Sequence, residues 1–72
     1  MIGENLRRVR KQRGFTLKAI AEAVDSSIGY IYEIETGCKT PSLSMLQKLA
    51  VALNAPVNEL LGVNEKGGED MN

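Results

Sequence analysis

Three consecutive polar residues, Asp25-Ser26-Ser27, separate two short segments with helical apolar spacing, and this gap constrains the fold most. Before it, Leu17, Ile20, Ala21 and Val24 fall on one face of a helix that Thr16 is suited to cap. After it, a segment from Ile28 to Thr36 turns Ile31 and Ile34 to one side, with Ser27 between them and Glu35 at the edge. Ile28 and Tyr30 flank that stripe, and Gly37 stops the segment. Asp and Ser side chains compete for backbone hydrogen bonds, so three in a row favour a turn and then a new helix cap. Ala21 is small enough to let another helix approach closely.

The remaining punctuation is equally sharp. Ile2, Leu6 and Val9 recur at helical spacing, which predicts an amphipathic helix from about Gly3 to Arg13 with a basic outer face, ended by Gly14. Lys39-Thr40-Pro41-Ser42 reads as a loop. A fourth helix runs to Leu53, with Leu43, Leu46, Leu49, Ala50 and Leu53 on its inner face and Asn54 as a left-handed cap. Pro56 opens a last short helix as its first-turn residue, followed by Val57, Leu60 and Leu61. These apolar residues and Val63 divide between core and dimer contact in a way periodicity does not resolve. No strand pattern, internal repeat or nucleotide-binding glycine motif is present in the sequence. The expected architecture is all-α, a compact five-helix domain over residues 1–62 followed by a disordered polar tail over residues 63–72.

Composition narrows the function classes. The chain has 72 residues, room for one domain with a modest core, so dimerisation would add useful stability. It has one cysteine, Cys38, and no histidine, which argues against an internal disulfide, a metal site or a catalytic constellation. No cofactor, metal or enzymatic activity is expected. No apolar run reaches membrane-span length and the first residues lack a signal-peptide pattern, so a cytoplasmic protein without membrane contact is expected. Net charge is zero, but its distribution is uneven. Arg7, Arg8, Arg10, Lys11, Arg13 and Lys18 face only Glu4 near the start, whereas Glu59, Glu65, Glu69 and Asp70 outweigh Lys66 near the end.

The paired helices make a helix-turn-helix, a weak signal alone but a specific one with its surroundings. The surroundings are Ile2-Gly3, Leu6, Arg10, Thr16, Ile20-Ala21, Ile31, Ile34-Glu35-Thr36-Gly37, Pro41-Ser42, Leu46, Leu49-Ala50, Leu53 and Glu59-Leu60-Leu61. In these residues the chain resembles the phage lambda repressor and Cro-like (XRE-type) helix-turn-helix transcriptional regulators, from about Ile2 to Leu61. The resemblance implies that the third helix is a recognition helix for the major groove and that a homodimer binds a two-fold site on double-stranded DNA. It implies base-edge contact from Ile28, Gly29, Tyr32 and Glu33, and a structural ion pair between Arg10 and Glu35. Ser27 joins the expected DNA-binding set, as do Thr16, Lys18, Thr36, Lys39 and Thr40, which bracket the motif where phosphates are clamped.

The sequence departs from the family pattern at three places. The recognition helix has no basic residue and no amide, Leu17 stands where many members have a phosphate-contacting Gln, and Asp25-Ser26 replaces a usual Gly and apolar residue. Chemically, Ile28 suits a thymine methyl, Glu33 a cytosine amino group and Tyr32 a phosphate or base edge, while Gly29 permits close approach. The expected function is a sequence-specific transcriptional regulator, a repressor acting by operator occupancy. The alternative is a protein-interaction module on the same fold, an antitoxin or anti-repressor with weak or no DNA binding, and a regulatory protein partner fits either reading.

Overall fold

A computed structural model describes residues 2–62 of the chain. The expected tail, residues 63–72 with Val63, lies outside the described residues. Five helices follow in order: α1 (Ile2–Gln12), α2 (Leu17–Ala23), α3 (Ile28–Thr36), α4 (Leu43–Leu53) and α5 (Val57–Leu61). No strand occurs among the described residues, and no helix among them is long and apolar enough to cross a membrane. α1 packs on α3 and α5, α2 on α3 and α4, and α4 on α5. One apolar core results, with Leu6 and Val9 from α1, Ile20 from α2, Ile31 and Ile34 from α3, Leu49 and Leu53 from α4 and Leu60 from α5 at its centre.

The helix boundaries follow from local chemistry. Thr16, Ser27 and Ser42 each sit in extended backbone and accept a hydrogen bond from the amide three residues on, at 3.0, 3.1 and 3.1 Å. Four helix ends share another device. At Gly14, Asp25, Gly37 and Asn54 the backbone turns left-handed, and the following amide reaches back five residues: Phe15 to Arg10, Ser26 to Ala21, Cys38 to Glu33 and Ala55 to Ala50. This pairing satisfies the orphan carbonyls of the last turn. Asp25 has φ 57°, so the aspartate that stands where the family usually has glycine adopts the glycine-like conformation. Asp tolerates that region better than most residues because its short polar side chain can bond locally.

Several sequence expectations need correction. α1 spans Ile2–Gln12, one residue earlier than expected at each end. Pro56 is the N-cap of α5, outside the helix, with ψ 148°. Ser27 is an exposed cap, not part of the core stripe. Leu43 has the right angular position for the inner face yet is 67% exposed. Helical spacing gives direction around an axis, not how far neighbouring helices extend along it, and on α4 the core takes Leu46 and partly Met45 but not Leu43. The unresolved division in α5 falls out clearly: Leu60 is fully buried, Val57 is half-buried and Leu61 is exposed.

Candidate nucleic-acid interface

The recognition helix is held from behind by α1. Arg10 Nε donates to Glu35 Oε2 at 2.6 Å and Arg10 Nη2 donates to Oε1 at 3.1 Å, a two-pronged pair buried on both sides. The third nitrogen, Nη1, donates to the carbonyl of Phe15 at 2.8 Å. One guanidinium therefore ties α1, the α1–α2 turn and the end of α3 together. The pair is buried more deeply than an edge position suggests, and no buried side-chain nitrogen or oxygen among the described residues lacks a partner. Close to it, Gly3 lies against the backbone: a Cβ there would meet the carbonyl oxygens of Ile34 and Glu35, the latter at 2.7 Å. α1 and the last turn of α3 thus cross at a distance only glycine allows.

The basic outer face expected for α1 is smaller than the sequence suggests. Arg13 reaches α4, where Nε donates to the carbonyl of Leu53 at 3.1 Å and Nη2 to that of Asn54 at 3.4 Å. Its cation sits at the carbonyl end of that helix, where positive charge is favoured. Arg8 Nη1 donates to Asn5 Oδ1 at 2.8 Å, and the buried Asn5 in turn donates to the carbonyl of Leu60 at 3.1 Å. Periodicity locates a Cα on a wheel; it does not show where a long side chain ends. Arg7 and Lys11 remain outward and exposed.

On the opposite side of α3, Ser27, Gly29, Tyr32, Glu33, Thr36 and Lys39 line one shallow depression together with Tyr30 and Cys38. Ile28 stands beside it, 47% exposed, and Tyr32 is 58% exposed. Thr16 and Lys18, exposed at the start of α2, lie outside the depression, and Thr40 lines a different groove with Ile2, Glu4, Pro41 and Leu61. Tyr30 packs its ring against the core and is the one residue shared by core and depression. This is the flanking position that helical spacing gives it in the sequence.

Charge in this depression is internally paired. Lys39 Nζ lies 3.3 Å from Glu33 Oε1 and 5.9 Å from the centre of the Tyr30 ring. Both charged groups are about half exposed, so the pair is screened and worth little to stability. Its consequence is positional. Thr36 Oγ1 meanwhile donates to the Glu33 carbonyl at 3.2 Å, closing the last turn. The first-turn amides of Ile28 and Gly29 have no intrahelical acceptor. Such a surface can offer donors and one exchangeable cation to an anion, and apolar contact to a flat partner. Among the described residues no cluster of three or more potential metal ligands occurs.

The profile of the helix-turn-helix family HTH_3 matches residues 6–60, most of the chain. The chain belongs to the helix-turn-helix family. It is 36% identical over 61 residues to the transcriptional regulator ClgR of Mycobacterium tuberculosis, covering 85% of this chain and 54% of that protein. Among solved structures, ClgR from C. glutamicum superposes with a TM-score of 0.81 at 38% identity, over 94% of this chain and 86% of that one. The biofilm master regulator SinR, solved in complex with DNA, superposes with a TM-score of 0.78 at 34% identity, over 85% of this chain and 98% of that one. These helix-turn-helix relatives are named as regulators, and the two solved structures superpose on most of this fold. The chain spans about half the length of the curated relatives it matches.

Proposed function

We propose that this helix-turn-helix chain is a transcriptional regulator that binds double-stranded DNA with the outer face of α3, represses by occupying its operator, and does so as a homodimer in the cytoplasm without enzymatic activity. The observation that carries the reading is that the outer face of α3 carries exposed apolar residues that no packing accounts for. Ile28 and Tyr32 are exposed apolar residues with no covering element among the described residues, while the inner face buries Ile31 and Ile34 in the core and Glu35 beside it. In this docking Ile28, Gly29, Tyr32 and Glu33 meet base edges, with Ser27 beside them at the DNA. Thr16, Lys18, Thr36, Lys39 and Thr40 clamp the flanking phosphates. The DNA complex of the relative SinR supports the same class of ligand. The domain comprises residues 1–62, with residues 63–72 as an appended tail.

The Lys39–Glu33 pair makes the docking testable. A phosphate that engages Lys39 takes it from Glu33, so the two anions compete for one cation. Binding of a fluorescent duplex is followed by anisotropy between low and physiological salt. Each phosphate neutralised contributes about 0.9 to the slope of log affinity against log salt. Lys39→Ala should weaken binding to all sequences alike and lower that slope by about one. Glu33→Gln should strengthen binding to all duplexes by removing the competing carboxylate. An unchanged slope in Lys39→Ala would remove the loop from the interface. No duplex binding even at low salt would move the chain to the protein-interaction reading.

A further inference from the structure

We propose that the chain's own acidic tail, residues 63–70, docks in the groove between α1 and the loop after α3, takes Lys39 there, and so withholds that cation from DNA. The docking is independent of the DNA-binding reading above, and the competition with DNA rests on it. The walls of the groove include Ile2, Thr36, Lys39, Thr40, Pro41 and Leu61. Leu61 is 42% exposed there and Ile2 is half-buried, so apolar surface is left open. Thr36 and Lys39 also line the depression on the outer face of α3. An occupant of the groove therefore shares two residues with the surface proposed to meet DNA.

Connectivity and charge both point to the tail as the occupant. The chain leaves the body from the wall of this groove, since Leu61 is followed only by Gly62 among the described residues. Gly62 turns left-handed, with φ 81°, and a Cβ on it would meet Asn5 Nδ2 at 2.8 Å, so the exit runs close against α1. Extended chain advances about 3.3 Å per residue, which puts Glu65 within about 13 Å of Leu61 and Glu69 within about 26 Å. A segment tethered this closely is present at an effective concentration in the millimolar range. Residues 2–62 hold eight of the nine cations and six of the nine anions, whereas the tail holds Glu65, Glu69 and Asp70 against Lys66 alone. Body and tail are thus opposite in net charge. Of the two acids lining the groove, Glu35 is neutralised by Arg10, which leaves Glu4 and Lys39 to set its charge. Lys39 is about half exposed and held only by a screened pair with Glu33, so another carboxylate can take it. Val63, the first residue of the tail, is apolar like Ile2 and Pro41.

The test compares the full chain with the full-length triple variant Glu65→Gln, Glu69→Gln, Asp70→Asn, which removes the tail's negative charge and keeps its size. Amide spectra of the isotope-labelled proteins are recorded at low salt without DNA. Docking predicts shift differences at Ile2, Thr36, Lys39 and Thr40 as well as in the tail, unchanged on dilution and fading as salt screens the contact. Differences confined to residues 63–72 would overturn the proposal. Groove differences that vanish on dilution would place the tail on a second copy and overturn it too. Binding of a random-sequence duplex, followed by anisotropy at low salt, then tests the competition. The triple variant should bind about threefold more tightly than wild type, the effect of releasing one exposed ion pair. In a Lys39→Ala background the same three changes should alter affinity by less than about 1.5-fold, because the shared cation is gone. Equal tightening in both backgrounds would mean that the tail repels DNA from a distance, which overturns the competition. Groove shifts without duplex binding by any variant would uphold the docking while the DNA-binding reading falls.

Discussion

Arg10 and Glu35 carry the largest single-residue burden in this small protein. Each is a charge taken out of water, and each is tolerable only because the other, with the Phe15 carbonyl, satisfies it. Removing one partner strands the other, which costs about 3–5 kcal/mol for a buried pair. Arg10→Ala and Glu35→Ala should therefore each lower stability by about that amount in urea melts. The double variant should lose much less than the sum of the two. Strict additivity would show that the two side chains do not support each other. The sequence singles the two residues out through family resemblance and places them at the rim of the apolar stripe. Their depth was not legible, because burial of an ion pair depends on which helices close over it. Asp25 carries the opposite lesson. Its departure from the usual glycine looks like a weakness in the turn, yet the backbone there takes φ 57° and makes the same pair of closing hydrogen bonds as the glycine ends.

Among the elements, α1 is scaffold more than contact surface. It holds the end of α3 through Arg10 and Gly3, the end of α4 through Arg13 and the end of α5 through Asn5. Gly3→Ala forces a methyl into the backbone of α3, and overpacking of this kind costs about 1–3 kcal/mol. The variant should melt correspondingly lower, and if it melts like wild type the tight crossing of α1 and α3 is not maintained in solution. All five helices were legible in the sequence because capping residues and left-handed stops bound them locally, and α3 was read to the residue. What escaped was long-range. The arginines of α1 read as one basic face, but Arg13 spends its donors on two carbonyls forty residues away. Leu43 reads as core, but it is exposed while Leu46, three residues on, is buried. Within the candidate interface, Gly29, Tyr32, Glu33 and Thr36 were separable from the core side by periodicity alone. The Lys39–Glu33 pair was not, since it joins a loop to a helix.

At the scale of the whole molecule, a single recognition helix offers few base contacts, so tight binding calls for two copies on a two-fold site. Among the described residues the exposed large apolar side chains away from α3 are Leu43, Val51 and Leu61, with Val57 half-buried. The dimer contact is expected on α5 and the adjoining end of α4. Sedimentation across a range of concentration should show a weak self-association that Leu61→Lys abolishes without lowering the melting temperature. A monomer at every concentration, with DNA present as well, would contradict it. The central claim is that DNA meets the outer face of α3, and amide chemical-shift mapping of the isotope-labelled protein with a selected duplex tests it most directly. The account predicts the largest shifts at residues 16–18, 27–33 and 36–40, with α4 beyond its first turn little changed. Shifts confined to α4 and α5, or no shifts at low salt, would contradict it.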